Sequence, residues 1–369
     1  MSKVRETVLE INLEALEANY RYLRSKLRNN TKFLAVVKAY AYGSDPCEVA
    51  LKLEQIGADY FAVAYTTEGM ALRKAGVTKP ILVLHPLPVH FEELIEYCLE
   101  PALYNLKVLK EFLEAAENKK VKDYPVHLKF NTGLNRLGFW ENDTDSILNV
   151  IRSSEALKIT SMFSHLAASE DHNEKEFSLE QIARFEKIAG VMASGLGYQP
   201  MRHMLNTSGI LNYADRAQFE MVRSGIGLYG FGNEEKYDKQ LQPVVALKSV
   251  ISQIHMIEPG ESVGYNRKFT ADGYTKTATI PLGHADGIGR IYGNKKGFLT
   301  VNGQKAPIIG NVCMDMLMID ITGIECKEGD EVVVFGKNPT AATFAATGGT
   351  ISYELITAIS QRVKRTFIK

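Results

Sequence analysis

The sequence predicts an α/β protein in two parts. An N-terminal (β/α)8, TIM-like barrel covers residues 1–240, and a C-terminal, mostly β domain covers residues 241–369. Three observations carry that reading. Apolar, strand-like runs recur at about 33–37, 60–64, 80–84, 101–104, 126–130, 159–163, 201–206 and 219–223. Helical patterns separate most of them. Beyond about residue 240 the texture changes to apolar stretches punctuated by glycine-containing turns. An open doubly wound sheet usually needs fewer strands, so a closed barrel is the better account.

Taken in order, the chain opens on an amphipathic helix. Leu13, Leu16, Tyr20, Leu23 and Leu27 are spaced by three and four behind Asn12, a good helix cap. The run Phe33-Leu34-Ala35-Val36-Val37 is apolar on both faces, as a buried parallel strand is, and Lys38 follows it directly. The next helix follows Asp45-Pro46, a cap with proline at the first helical position, and stops at Gly57. Another follows Pro86-Leu87-Pro88 and carries Phe91, Leu94, Ile95 and Cys98. A long one runs through Ile182, Phe185, Ile188 and Met192 to Gly195. In the second part, strands are expected over 244–257, 275–282, 297–301, 305–309, 316–321 and 331–335. Pro259-Gly260, Asp272-Gly273, Asn302-Gly303 and Glu328-Gly329 mark the turns, and a helix over about 352–365 closes the chain.

Composition narrows the partners. At 369 residues the chain is long for one core and suits two domains. It is 45% apolar and 23% charged, so it folds as a globule. Lys+Arg and Asp+Glu both number 43, so no net field draws it to nucleic acid or to membrane phosphates. A small-molecule partner is the better expectation. Cys47, Cys98, Cys313 and Cys326 are far apart with no C-x-x-C pair, which argues against a zinc site or a disulfide framework. No apolar run approaches the ~18 residues of a membrane helix, and the N-terminus lacks a signal peptide's apolar core. A cytoplasmic protein, with no metal, is expected.

In a (β/α)8 barrel the chemistry gathers at the C-terminal strand ends. Lys38 follows the first strand, and Lys129 closes the fifth and leads into Asn131-Thr132-Gly133-Leu134-Asn135-Arg136. His165 ends the sixth, Asn206 and Thr207 the seventh, and Arg223 the eighth. Each has a plain alternative: a strand-end lysine snorkels to water, and a lone histidine is more often structural. Their joint placement points instead to a site, where partial desolvation would favour the neutral lysine amine that forms Schiff bases.

After Arg223 comes Ser224-Gly225-Ile226-Gly227-Leu228-Tyr229-Gly230, in which Gly225, Gly227 and Gly230 satisfy G-x-G-x-x-G. The dinucleotide fingerprint also needs a long following helix and an acid about 20 residues on, and both are missing. A backbone cradle for phosphate at the eighth strand end fits better. A lysine that takes an aldehyde and a loop that takes a phosphate together suggest pyridoxal phosphate.

With those residues assembled, nearly the whole chain resembles the alanine racemases, fold-type III pyridoxal-phosphate enzymes. The resemblance rests on Val37-Lys38-Ala39-Tyr40-Ala41-Tyr42-Gly43, His127-Leu128-Lys129 with Arg136-Leu137-Gly138-Phe139, Ser164-His165 and the 203–208 segment. Further on come Val222-Arg223-Ser224-Gly225-Ile226, Gly264-Tyr265, Gly283-His284-Ala285-Asp286-Gly287 and Val312-Cys313-Met314-Asp315.

The resemblance implies that Lys38 holds the cofactor covalently, with Tyr42, Thr207, the Gly225 and Ile226 amides and Tyr353 around its phosphate. His165 would pack on the ring and Asn206 support the ring-side network. Arg136 would reach the phenolic oxygen and the substrate carboxylate, and Arg223 the pyridine nitrogen. Lys38 and Tyr265 would be the two bases of L- and D-alanine interconversion, with Tyr265 and Met314 arriving from the second subunit of an obligatory homodimer. The lysine matching Lys129 is carbamylated in many members. The product would be D-alanine for peptidoglycan.

Five positions depart from the family's usual residues: Ser44 and Asp45, Asn131, His284 and Asn311. None is one of the two bases, but His284 stands where a tyrosine usually narrows the substrate entrance, and histidine titrates near neutrality. A racemase of other amino-acid preference, such as serine, is the nearest alternative. A fold-type III decarboxylase is disfavoured by Arg223, and a non-catalytic pyridoxal-phosphate carrier by Tyr265 and the β domain.

Overall fold

The computed structural model describes residues 4–368, so the opening segment read above as lacking a leader lies partly outside them. Its chain contacts define two compact units. One comprises Glu17–Ala41 and Pro46–Leu241; the other comprises the residues up to Leu16, Tyr42–Asp45, and those from Gln242 on.

The first strand, β1 (Val8–Asn12), belongs to the second of these and was not separated from the following helix by periodicity. Asn12 does cap that helix, Leu13–Arg24, its Oδ1 accepting from the Ala15 amide at 2.8 Å.

The barrel unit holds eight parallel strands: β2 (Lys32–Val36), β3 (Tyr60–Val63), β4 (Ile81–Val83), β5 (Glu100–Leu103), β6 (Tyr124–Lys129), β7 (Leu157–Phe163), β8 (Met201–His203) and β9 (Met221–Ser224). Each expected run is one of these strands. Neighbours follow in chain order from β2 to β8, and β9 lies beside β2, with Leu34 opposite both Tyr60 and Arg223. The ring closes where the Arg223 amide donates to the Leu205 carbonyl at 3.0 Å. Strand β8 is shorter than expected because Asn206 turns out of it to cap the helix Thr207–Ala217. Every residue of β3 is buried, which is why these strands read as unbroken apolar runs. The predicted helices are Pro46–Gln55, Phe91–Glu96 and Lys175–Leu196; Cys98 falls beyond the second, exposed and at positive φ.

In the second unit, the expected 244–257 strand is two, β10 (Val245–Val250) and β11 (Gln253–Ile257), parted at Ile251 and Ser252. After the short pair β12 (Ser262–Val263) and β13 (Phe269–Thr270) come β14 (Thr275–Ile280), β15 (Phe298–Val301), β16 (Gln304–Ile309), β17 (Leu317–Asp320) and β18 (Glu331–Phe335). Along β10 buried and half-buried residues alternate, the mark of a sheet with one face on a core.

The expected closing helix is a correction. Helices Ala341–Thr347 and Ser352–Thr357 are followed by a strand, β19 (Lys364–Ile368), parallel to β1 with Val8 opposite Lys364. The helix stops because Arg365 occupies the carbonyls of Ile359 and Ser360, at 3.0 and 2.5 Å, while the free edge of β1 accepts the chain. The long sheet runs β11-β14-β17-β16-β15-β18-β10-β1-β19. Among the described residues no helix is long and apolar enough to cross a membrane, and no cluster of metal-ligating side chains occurs.

Candidate active site

Lys38 leaves the end of β2 and heads a turn in which Ala39, Tyr40, Ala41, Tyr42 and Gly43 all have positive φ, from 50° to 82°. This is a left-handed helical turn, and four of its residues carry side chains. Such backbone costs about 1–2 kcal/mol per residue, so the surroundings must hold it. Glu68 does so from the barrel side: its carboxylate accepts the Ala39 amide at 2.7 Å, the Ala64 amide at 2.6 Å and the Tyr65 amide at 3.1 Å. Gly43 ends the turn at φ 82°, where a Cβ would come within 1.9 Å of the Ile356 carbonyl oxygen.

The Lys38 amine is half-buried and held below its ordinary range, first by burial and then by the charge of Arg136, against a smaller opposing effect of Glu68. Lys129, fully buried at the end of β6, is pushed down to about 8 by burial and by Arg136, Arg223 and Lys38. The loop after it doubles back, with the Phe139 amide donating to the Lys129 carbonyl at 2.8 Å and the Asn131 amide to the Phe139 carbonyl at 2.9 Å. A Cβ on Gly138 would lie 2.5 Å from the Asn131 nitrogen, which explains the glycine in Arg136-Leu137-Gly138-Phe139. Arg136 itself is exposed.

Arg223 lies buried at the end of β9. Its Nη1 donates to His203 Nδ1 at 2.6 Å and to the His203 carbonyl at 3.1 Å. Its Nη2 donates to the carbonyls of Ser164 and Met204, at 2.7 and 3.1 Å, and to His165 Nδ1 at 3.0 Å. None of these bonds uses Nε. Burial and Arg136 push the guanidinium down to about 9, which leaves it charged at neutral pH. His165 is held well below its ordinary range by burial, then by Arg223 and the other cations, so it is a neutral ring whose Nδ1 accepts.

Asn206 caps the helix Thr207–Ala217, its Oδ1 accepting from Gly209 at 2.8 Å and from Ser169 Oγ at 2.8 Å. Thr207 Oγ1 bonds Ser224 Oγ at 3.0 Å and accepts the Gly227 amide at 3.2 Å. The amides of Gly225 and Ile226 precede the first amide engaged by the following turn, Leu228 onto the Gly225 carbonyl at 2.9 Å.

The barrel unit thus gathers Lys38, Lys129, Arg136, His165 and Arg223 close enough to perturb one another, with Thr207, Gly225 and Ile226 on the adjoining strand ends. A desolvated amine, a neutral ring, a buried cation with an uncommitted Nε and a loop of forward amides fit pyridoxal phosphate in carbonyl, ring, ring nitrogen and phosphate.

The second unit carries the remaining sequence-derived residues. The rings of Tyr42 and Tyr353 are 6.3 Å apart, and burial, with a smaller contribution from Tyr353, pushes the Tyr42 phenol up. Tyr265 and Met314 stand 71% and 59% exposed. Asn311 steadies the first of these, donating through Nδ2 to the Tyr265 carbonyl at 3.1 Å. His284 is exposed, its amide bonded to the Cys313 carbonyl at 2.9 Å. In the barrel unit Asn131 shapes its own loop: its Oδ1 accepts the Gly133 and Asn135 amides at 3.1 and 3.0 Å, a task a carboxylate performs equally. Ser44 is buried, and among the described residues its hydroxyl has no hydrogen-bond partner.

Sequence reasoning missed Glu68 and the part of His203 as an acceptor for Arg223. A glutamate in the first turn of the helix Thr66–Lys74 is an ordinary sight, and nothing local ties it to a backbone 29 residues earlier.

Comparison with known proteins agrees. The family model described as alanine racemase, N-terminal domain, matches residues 11–232, and that for the C-terminal domain matches residues 244–367. The alanine racemase of Clostridium novyi is 37% identical over 380 residues, covering 99% of this chain and 96% of that protein. The solved alanine racemase of Clostridium difficile 630 superposes with a TM-score of 0.92 at 34% identity, over 100% of this chain and 97% of the other. That of Bartonella henselae, solved with covalently bound pyridoxal phosphate, gives 0.89 at 29% identity, over 98% and 99%. The chain belongs to the alanine racemase family of pyridoxal-phosphate-dependent isomerases.

Proposed function

We propose that the chain interconverts L- and D-alanine, with Lys38 and Tyr265 as bases on opposite faces of the α-carbon and Tyr265 supplied by a second copy in a homodimer. The observation that carries this is the state of Lys38. Its amine is drawn below the ordinary lysine range at a barrel mouth where Lys129, Arg136 and Arg223 leave positive charge for an anionic cofactor and a carboxylate. Pyridoxal phosphate, when bound, supplies the conjugated ring that takes up the electron pair left by the departing α-proton.

The residues of this chain do the rest. Thr207, the Gly225 and Ile226 amides, Tyr42 and Tyr353 hold the phosphate, and His165 packs on the ring with Asn206 supporting its network. Arg136 steers the phenolic oxygen and the substrate carboxylate, which Met314 approaches from the other subunit. Arg223 meets the pyridine nitrogen. A guanidinium that keeps its proton leaves that nitrogen without one, which weakens the ring's pull on electrons and favours proton return over transamination. Lys129 near 8 has an appreciable neutral fraction at pH 7, the form that adds carbon dioxide; the resulting carbamate would orient Arg136.

The exposure of Tyr265, Met314, Met316 and Ile291 supports a second copy covering that face. We place the enzyme in the cytoplasm, supplying D-alanine for peptidoglycan. Deuterium uptake at the α-carbon, followed from each enantiomer across a panel that includes alanine and serine, tests the reading. Alanine should exchange fastest from both enantiomers. Carbon dioxide release without exchange into substrate overturns the assignment.

A further inference from the structure

A file of buried polar side chains crosses the barrel interior from the active-site mouth towards the opposite end, and the reaction as derived so far uses only its first member. From Arg223 Nη1 it passes to His203 Nδ1 at 2.6 Å, and from His203 Nε2 to Ser161 Oγ at 2.8 Å. It continues from Ser161 Oγ to His127 Nδ1 at 2.6 Å and from His127 Nε2 to Glu100 Oε2 at 2.6 Å. His203, Ser161 and His127 are wholly buried, and Glu100, the first residue of β5, is nearly so. The rings are locked in place: His203 lies stacked on Phe163 at 4.8 Å, and His127 meets His203 and Tyr60 edge-on, each at 6.3 Å.

Hydrogen-bond counting gives this file a direction. A guanidinium has donors only, so His203 Nδ1 must accept and the ring's proton sits on Nε2. Ser161 Oγ accepts that proton; among the described residues its only other partner is His127, so its own hydrogen goes to His127 Nδ1. The His127 proton is thereby placed on Nε2, facing the Glu100 carboxylate, which has acceptors only. Every bond points from Arg223 to Glu100. Burial, Arg223 and His127 hold His203 well below its ordinary range, which keeps it neutral and excludes a second proton on that ring. Because Arg223 keeps its protons, the file orients groups and does not conduct protons.

We propose that Glu100 is a positioning residue for the active site: acting through His127, Ser161 and His203, it holds from the far end of the file the same His203 tautomer that the guanidinium selects, the one that offers Arg223 an acceptor, so that weakening either end loosens it. Reversal of the file would set His203 Nδ1–H against the guanidinium, donor against donor, and turn Nε away from its task. The consequence for catalysis rests on the proposed contact of Arg223 with the pyridine nitrogen; the tautomer statement does not.

The test uses the full chain, loaded with pyridoxal phosphate and labelled with 15N-histidine, with long-range 15N–1H spectra assigned through His127→Gln and His203→Gln. In the wild type both rings should carry their proton on Nε2 alone. Glu100→Gln can donate as well as accept, so it should yield a mixed tautomer signal at His203, three side chains along. Ser161→Ala breaks the file without changing charge and should give the same mixture at His203, while His127 stays Nε2-protonated against Glu100. Ser161→Thr, which restores the hydroxyl, should restore the wild-type signal. In both perturbing variants the ratio of transamination to α-proton exchange should rise about tenfold, the usual scale for a lost outer partner of a held group. A wild-type His203 protonated on Nδ1, or a His203 signal unmoved by both Glu100→Gln and Ser161→Ala, overturns the proposal. Tautomers that respond as described in a protein without α-exchange would uphold the positioning role and refute only the assigned reaction.

Discussion

Lys129 is a buried amine among cations, and replacing it should stabilise the protein in a pH-dependent way. Burial, Arg136, Arg223 and Lys38 bring it from 10.5 to about 8, a difference worth about 3 kcal/mol between the charged and neutral forms. In the unfolded chain the amine binds a proton up to its ordinary value, whereas the folded chain releases it near 8. The unfolded state therefore holds more protons between those limits, and stability rises with pH across that window. Below pH 8 the whole burden is present. It falls to about 2 kcal/mol at pH 9 and about 1 kcal/mol at pH 10. Lys129→Met keeps the length of the side chain and removes the charge. In carbon-dioxide-free buffer without cofactor, the variant should exceed the wild type by up to about 3 kcal/mol at pH 7, with the gap closing towards pH 10. Urea unfolding followed by circular dichroism and by Trp140, the single tryptophan and a barrel residue, measures it. Bicarbonate should then stabilise the wild type and leave the variant unmoved. A gap independent of pH, or a wild type more stable than Lys129→Met at pH 7, would refute the electrostatic account.

Other expectations are simpler to check. Lys38→Ala should lose the visible absorption of bound cofactor and slow α-proton exchange by about 10²-fold or more, as removal of a positioned base does. Tyr265→Phe should suppress exchange from one enantiomer far more than from the other; equal, modest losses would mean that the two faces do not have separate bases. Glu68→Gln takes a charged acceptor from the Ala39, Ala64 and Tyr65 amides, so it should lower stability by about 1–3 kcal/mol and slow cofactor attachment at Lys38. Gly43→Ala forces a Cβ towards the Ile356 carbonyl at positive φ and should cost more than about 2 kcal/mol, seen as a lower urea midpoint.

The barrel was legible because strands such as β2 and β3 are buried on both faces and its strands appear as mainly apolar runs, most of them separated by helical patterns. The strand β1 was not, since Val8, Leu9, Glu10, Ile11 and Asn12 find their partners at Val245–Val250 and Lys364–Ile368, at the other end of the chain. The β19 strand was misread for the same reason: Arg365 and the edge of β1, both distant or later in sequence, end the helix that local pattern extends. Within the site, Lys38, Lys129, His165 and Arg223 were visible because a barrel advertises its chemistry at strand ends. Glu100, His127 and Ser161 lie within strands instead, on the interior face, where a single polar residue among apolar neighbours has no local meaning. The left-handed turn was equally silent. Ala39-Tyr40-Ala41-Tyr42 contains none of the glycine or asparagine that normally marks positive φ, and its support comes from Glu68.

That turn and the cation cluster follow from one requirement. An amine loses its proton more readily when it is buried and surrounded by positive charge, and these are the largest effects on Lys38 and Lys129, with Glu68 opposing them only weakly at Lys38. The same crowding must not neutralise Arg223, which the proposed reading needs charged. Arg223 donates to carbonyl and imidazole acceptors from both Nη atoms, and although burial and Arg136 push it down to about 9 it stays charged at neutral pH. Lysine yields sooner than arginine because it starts lower: Lys129 comes down from 10.5 to about 8, whereas Arg223, starting at 12.5, comes down only to about 9. One electrostatic arrangement therefore produces two amines readier to lose a proton and a buried guanidinium that keeps its own, and exchanging arginine for lysine at position 223 would collapse that distinction even with the fold intact.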